Sequence, residues 1–508
     1  MSIGRRLMGG SVLRLVDFVL QVAIAFVMTP FIVGTLGVQK YGAWVVVGTL
    51  VGYYGLLDLG MSSAVTRFLS KAIGSEDRQA YSDTIRTALV VFASIGGSGL
   101  VLASVAIYCL PSSIRAIDES LPLILIILVS RLAIGFPIRA LNAVLSAGLR
   151  HDLQSVASIC RLLVGNVLIL CLLGGGDGLL TLSVCVVLAW LTEYVLVTVF
   201  ALWCASYPIL STGRFSRNVL REMASYCGKS FTTQILNMIR FRFDPILVGW
   251  LMGARWVTYF AVGRSLLNYF MQLVMNAVGL TKPLFSQYDG RGDRAAIKRQ
   301  FRRLIRMNVA FVAFVGLSMA IFGEAFMVRW MGDGFRISYV VMLLMLPGYM
   351  IALMQTTAVN LMLGVSRHHY LIFNALVDGL VHILLALLLS RSLGLFGVPL
   401  AIGVSMVCVF LTMQPYFAAK VSGIPIRDYY MNCLLQPFLR VCAFSTVFWL
   451  VFRSLIQPTL PSLILLGALK VLLFSPYCLF VVLNRDEREA LGRTAGSFFS
   501  SRHSEVTA

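Results

Sequence analysis

Residues 237–253 read NMIRFRFDPILVGWLMG. The stretch lies within a long apolar run, yet it carries Arg240, Arg242 and Asp244, followed by Pro245. Its second part, DPILVGWLMG at 244–253, is similar to TPFIVGTLG at 29–37. Pro30 matches Pro245 at a separation of 215, and one inserted residue moves the separation to 216. At 216, Ser70 meets Ser286, Gly74 meets Gly290, Asp77 meets Asp293 and Arg78 meets Arg294. Further on, NAVLSAGLRH at 142–151 aligns with NLMLGVSRHH at 360–369, a separation of 218. No single match carries weight, but a nearly constant separation along the chain implies an internal duplication.

The material being duplicated is membrane-spanning. The 508 residues are 58% hydrophobic and 13% charged, whereas a soluble domain carries about 25% charge. The mean hydropathy is +0.86. Apolar runs long enough to cross a bilayer recur from end to end. Fourteen spans are expected, at about 11–34, 41–64, 84–110, 120–142, 155–174, 179–204, 227–251, 256–279, 304–328, 337–363, 371–392, 395–418, 433–455 and 460–484. The first apolar run is too long for a cleaved signal peptide and reads as a retained span. The expected fold is an all-α integral membrane protein. Two parallel six-helix repeats occupy 1–210 and 211–425, and two further helices with a cytoplasmic tail occupy 426–508. An even number of helices per copy gives both copies the same sense in the membrane. Transporters of that build bind substrate between the halves and rock around it.

The net charge of +20 is a matter of orientation rather than nucleic-acid binding. Arg5, Arg6, Arg67, Lys71, Arg78, Arg214, Arg217, Arg221 and the basic segment 282–303 fall on one side. Lys40, Arg115, Arg255, Arg329, Arg336, Arg391 and Arg453 are sparser on the other. The positive-inside rule places both termini in the cytoplasm.

Charges inside the spans are costly, at about 2.5–3.5 kcal/mol each on insertion scales, and usually face a cavity or a partner. The basic candidates for a cationic binding cavity are Arg14, Arg131, Arg240, Arg242 and Arg264. The acidic candidates for proton or Na⁺ coupling are Asp17, Asp58, Glu193, Asp244 and Asp378, the last accompanied by His382. Arg139, Arg161 and Arg440 lie near expected cytoplasmic ends and can snorkel to the headgroups. Arg240 and Asp244 are four residues apart and share a helix face, while Arg242 points away from both. Pro30 and Pro245 are candidate hinges, because a proline removes one helical hydrogen bond. Arg14, Asp17 and Gln21 form a polar stripe on the first span. Basic residues outnumber acidic ones here. A cationic cavity with forked guanidinium donors suits a phosphate-bearing amphiphile or another organic anion.

No GxxxxGK[ST] loop, HExxH pair or CxxC pair occurs, so no ATP engine, zinc protease or thiol metal site is expected, and no cofactor. The ten cysteines lie mostly in apolar segments, as packed thiols would.

The segment LGVQKYGAWVVVGTLVGYYGLLDLGMSSAVTRFLS at 36–70 resembles the opening of bacterial polysaccharide-precursor flippases. These Wzx-type proteins belong to the multidrug/oligosaccharidyl-lipid/polysaccharide (MOP) exporter superfamily. FDPILVGWLMG at 243–253 resembles the start of their second half. The resemblance implies a substrate, an oligosaccharide on undecaprenyl diphosphate, moved from the cytoplasmic to the periplasmic leaflet by alternating access. It implies a role in lipopolysaccharide or exopolysaccharide synthesis, with synthesis enzymes as associates on the cytoplasmic face. It also implies a lateral lipid groove near the last two helices, where Arg440 and Lys470 lie. Two other readings stay open: a multidrug or organic-cation antiporter of the same superfamily, and a membrane polysaccharide polymerase or acyltransferase.

Overall fold

The structure, a computed structural model, describes residues 3–58, 60–108, 120–175, 178–208, 213–225, 227, 244–279, 281–484 and 488; for residues 3–12, 14, 15, 56, 106 and 368 it describes the backbone only. Among the described residues every regular element is helical. The chain divides into two compact units, Met1–Thr258 and Tyr259–Ala508.

The first unit holds α1 (Ile3–Tyr53), α2 (Met61–Gly74), α3 (Arg78–Tyr108), α4 (Leu121–Ala147), α5 (His151–Leu172), α6 (Gly178–Cys204) and α7 (Asp244–Met252). The boundary falls within α8 (Ala254–Val278). The second unit continues with α9 (Thr281–Gly290), α10 (Arg294–Met331), α11 (Arg336–Met354), α12 (Thr356–Gly364), α13 (His368–Leu393) and α14 (Gly397–Ser422). A short turn at Ile426–Asp428 then runs through a π-helical stretch, Tyr429–Leu435, into α15 (Gln436–Phe452). The last long helix is α16 (Leu460–Tyr477), extended by a second π-helical stretch, Cys478–Val482.

Ten helical stretches among the described residues are long and apolar enough to cross a membrane. Two of them each run across parts or all of two expected spans. Val16–Tyr53 is interrupted at Gly37 (φ 76°, ψ 162°), and His369–Ser422 at Gly394 (φ 54°). A β-carbon is strained at such positive φ, so glycine is the residue that lets the chain turn there. The expected span 227–251 lies mostly outside the described residues. The expected span 41–64 is divided by a 3₁₀ turn at Tyr54–Asp58 and by Gly60 (φ 80°). The cause is local. Asp58 accepts from the Ser62 backbone N–H (3.4 Å) and hydroxyl (2.6 Å) in the first turn of a new helix that begins at Met61 after the left-handed Gly60.

The two units repeat each other's turns. After α2, Asp77 N–H donates to Ala72 O (3.0 Å) and Glu76 N–H to Ile73 O (3.3 Å). After α9, Asp293 N–H donates to Tyr288 O (3.1 Å) and Gly292 N–H to Asp289 O (2.9 Å). Glu76 (φ 54°) and Gly292 (φ 68°) hold the same left-handed position. Each following aspartate caps the next helix, Asp77 through Ala80 N–H (2.9 Å) and Asp293 through Ala296 N–H (2.8 Å). The turn between α4 and α5 pivots on Leu149 (φ 56°), and that between α12 and α13 on Ser366 (φ 59°). That turn matches at a separation of 217 rather than the 218 of the sequence alignment, because the chain reverses at Leu149 and Ser366. Helix pairing matches too. In the first unit α3 packs on α4, α5 on α6, α4 on α6 and α2 on α4; in the second, α10 packs on α11, α13 on α14, α11 on α14 and α9 on α12. Leu69 and Phe285, and Ile85 and Phe301, are wholly buried at matching positions.

The outer faces are apolar. Val101, Leu102, Ile464, Leu465, Leu472 and Phe480 are each 63–71% exposed. An apolar girdle of that kind is paid for in water by aggregation and is at home in lipid tails.

Candidate functional site

The first unit gathers a polar network in the middle of four apolar helices. Asp17 on α1 accepts from Gln21 Nε2 (3.1 Å), one turn on, and from the Ser158 hydroxyl of α5 (3.2 Å). Arg161, also on α5, donates through Nε to Glu193 of α6 at 2.5 Å and reaches Ser158 Oγ at 3.4 Å. The Trp190 ring of α6 carries a guanidinium over it at 4.6 Å from Arg161 and at 4.6 Å from Arg131 of α4. Tyr194, one helical turn beyond Trp190, donates to the Arg131 carbonyl at 3.4 Å. A β-carbon on Gly135 would sit 2.2 Å from the Tyr194 hydroxyl, so only glycine admits that ring against α4.

The two arginines of this network differ in their compensation. Arg161 and Glu193 neutralise each other; their side chains are 21% and 16% exposed. No carboxylate lies within ion-pair distance of Arg131 among the described residues, and its buried Nε has no hydrogen-bond partner there. Its compensation is the face of Trp190, which a guanidinium favours most among aromatic rings. Arg131 is therefore the arginine of this network that no carboxylate contacts directly among the described residues, while Asp17 is held by Gln21 and Ser158 rather than by a cation.

A second pair lies nearby in sequence. Arg139 contacts Asp58 at 3.3 Å and rests over Phe136 at 4.7 Å. Asp58, an expected coupling residue, is thus engaged by an arginine and by Ser62. Arg139 and Arg161, which the sequence allowed to reach the headgroups, each hold a carboxylate instead.

The remaining candidates are spread out. Asp244 and Pro245 open the described part of α7, and both are buried. Arg240 and Arg242 lie outside the described residues, and so does the Arg14 side chain. Pro30 sits within the continuous first part of α1, and the break comes at Gly37. In the second unit Arg264 is 8% exposed beside Phe260 (5.7 Å). Asn374, Asp378 and His382 line one buried face of α13, where Asn374 Nδ2 donates to Gln414 Oε1 of α14.

Arg440 and Lys470 take contrasting positions in the added helices. Arg440 donates to the carbonyls of Val481 (2.6 Å) and Val482 (3.2 Å), the end of the π-helical stretch. Arg306 of α10 reaches the same end, 3.5 Å from Val482 O, and also Asn432 O (2.5 Å) and Gln436 Oε1 (3.1 Å). Cations suit a helix C-terminus, whose last carbonyls lack helical partners. Lys470 is 1% exposed and donates to the Ser318 hydroxyl at 2.8 Å. Phe314, Phe322 and Phe448 surround its ammonium at 5.1, 5.9 and 5.9 Å.

Sequence reading missed Ser158, Trp190 and Arg306. A signal existed for the first two. Ser158 is three residues before Arg161, and Trp190 three before Glu193, so each shares a helix face with a charge already noticed. Arg306 follows a run of basic residues and was indistinguishable from solvated charge. Among the described residues no cluster of His, Cys, Asp and Glu could hold a metal ion.

The model of the family described as polysaccharide biosynthesis protein matches residues 35–338, more than half of the chain. The chain is 21% identical over 501 residues to the uncharacterized membrane protein EpsK of Bacillus subtilis, covering 94% of this chain and 95% of that protein. It is 22% identical over 345 residues to a putative O-antigen transporter of Shigella flexneri, covering 65% and 77%. The solved structure of the lipid II flippase MurJ in an inward closed conformation superposes with a TM-score of 0.68 at 14% identity, covering 92% of this chain and 97% of that one. An inward-facing multidrug resistance MATE family transporter of the MOP superfamily gives 0.65 at 13% identity, covering 80% and 96%. At those identities the structures speak for the fold alone, an all-helical fold shared with both of them. The chain belongs to the polysaccharide biosynthesis protein family.

Proposed function

We propose that this chain is a flippase for an oligosaccharide carried on undecaprenyl diphosphate, moving it from the cytoplasmic to the periplasmic leaflet by alternating access. The observation that carries the reading is Arg131, a guanidinium in mid-helix with no carboxylate at ion-pair distance among the described residues, stacked on Trp190. Holding such a cation in an apolar span costs about 2.5–3.5 kcal/mol on insertion scales, and an anionic ligand offsets that cost. A guanidinium offers paired donors that match phosphate oxygens, which suits a diphosphate better than an organic cation. Family membership and the likeness to a putative O-antigen transporter support a sugar-bearing cargo.

The same reading has fourteen helices, in two parallel halves of six plus a final pair, with both termini cytoplasmic in the bacterial inner membrane. The recurrence of turns at separations of 216 and 217 supports the duplication. Asp17, Asp58, Glu193, Asp244 and Asp378 are its candidates for proton or Na⁺ coupling. Arg264, buried in the second unit, is a further cationic candidate of this reading. Synthesis enzymes are its expected associates on the basic face.

The deciding experiment follows the sidedness of lipid-linked glycan in cells depleted of the protein, probed from the periplasmic face. Inner-leaflet accumulation that wild type reverses and Arg131→Ala does not, at equal protein level, is the expected result. Normal outer-leaflet appearance on depletion would sink the flippase reading and leave the antiporter.

A further inference from the structure

The second unit contains a pocket of about 470 Å³ whose walls come from the end of α11, from α14, from the π-helical stretch Tyr429–Leu435 and from α15. Met354, Leu411, Met431, Leu434 and Phe438 make it apolar. It opens sideways toward the lipid-facing surface, where Leu411, Met431 and Leu435 are 41%, 51% and 42% exposed.

Two irregularities build this pocket. Gln355 (φ −87°, ψ 1°) separates α11 from α12, and the facing wall is π-helical. A π-helical bulge costs helix stability and concentrates at functional sites. Neither irregularity is needed to cross the membrane.

The polar groups on the wall point to a ligand. Gln355 is wholly buried; its Oε1 accepts from the Tyr429 hydroxyl, and its Nε2 has no hydrogen-bond partner among the described residues. A buried amide N–H left unpaired costs about 1–3 kcal/mol, which an incoming acceptor removes. Arg427 lines the same pocket and is exposed. Its neighbour Asp428 is already taken by Arg302 and by Asn432 Nδ2 (2.6 Å), so the carboxylate next in sequence is committed elsewhere.

We propose that this pocket binds one acyl chain of an anionic glycerophospholipid, with Arg427 on the phosphate and the Gln355 amide donating to an ester carbonyl. The chemistry fits in three respects: an apolar channel, a single buried donor, and a guanidinium at the rim. The volume suits one acyl chain and is far too small for a polyprenyl carrier, several such chains long. The ligand is therefore a lipid of the surrounding leaflet, distinct from the cargo.

The test uses the full chain in phosphatidylcholine nanodiscs containing trace phosphatidylglycerol with a diazirine on its acyl chain. Photolabelling followed by peptide mapping reads the site. Label is expected on residues 351–355 and 430–438. Arg427→Gln should lower it about fivefold, the worth of one basic residue against an anionic headgroup. A phosphatidylcholine probe should label wild type weakly and ignore that substitution. Met431→Trp, which adds bulk at the lipid-facing edge, should block labelling while leaving the melting temperature unchanged. Equal labelling by both probes, indifferent to Arg427→Gln, would overturn the proposal in favour of ordinary annular contact. Displacement of the label by undecaprenyl diphosphate would overturn it in favour of the cargo. Labelling needs no transport, so its result stands apart from that of the sidedness experiment.

Discussion

Arg161 in the first unit and Lys470 in the second are both cations in the middle of apolar helices. Arg161 has a carboxylate at 2.5 Å, a serine hydroxyl and a tryptophan face, and its side chain keeps 21% of its exposure. Lys470 has one serine and three phenylalanines, and almost no exposure. The first arrangement is a network of groups that can exchange partners. The second is a closed cage with a single hydrogen bond, which suits a fastening between α16 and α10. The contrast teaches that an intramembrane charge does not by itself mark a site. The number of polar groups around it, and whether one charge is left over, separate a working cluster from a clasp. Arg131 is the guanidinium of that cluster with no carboxylate at ion-pair distance among the described residues.

The largest effect should come from removing that residue. Arg131→Ala is expected to reduce glycan export at least tenfold with protein level unchanged, measured by lipid-linked glycan sidedness. Arg131→Lys should restore only part of it, because an ammonium lacks the plane that stacks on Trp190 and the fork that meets phosphate. Full activity in the alanine variant would erase the distinction drawn between the two regions.

The next effect separates pairing from caging. Arg161→Met leaves Glu193 half-buried without its partner and should cost about 3 kcal/mol, read as a fall in the detergent melting temperature. Adding Glu193→Leu should recover most of that loss. Lys470→Met places an apolar chain of similar length among three phenylalanines and should leave both melting temperature and export close to wild type. A collapse of export in Lys470→Met with an unchanged melt would move Lys470 into the transport machinery.

The smallest effect tests the repeated turns. Glu76 and Gly292 occupy the same left-handed position. Glu76→Gly should stabilise slightly and Gly292→Ala destabilise by about 1 kcal/mol, the cost of a β-carbon in that conformation. Opposite signs in paired melts would confirm that the two turns carry the same geometry, and equal signs would break it.

Much of this was legible in the sequence. The apolar runs, the separation near 216 between matching segments and the identities of the buried charges all rest on local composition and spacing, which a linear string records directly. Family resemblance at 36–70 was legible for the same reason. Helix continuity was less so. The breaks at Gly37 and Gly394 fall between expected spans, but the one at Gln355 falls inside the expected span 337–363, where apolar residues continue on both sides and only the packing decides the break.

Partners were not legible at all. Arg161 and Glu193 are 32 residues apart, and Lys470 and Ser318 are 152 apart. Spacing along one helix shows which face a charge occupies, but not which other helix lies opposite. The sequence by itself determined that this is a membrane protein with an excess of cations in its apolar stretches. Only the tertiary structure decided which of those cations are paired with a carboxylate, which is caged among phenylalanines and which is stacked on a tryptophan. In a low-dielectric interior the energy of a charge is set by groups a few ångströms away in space, and folding alone brings those groups together.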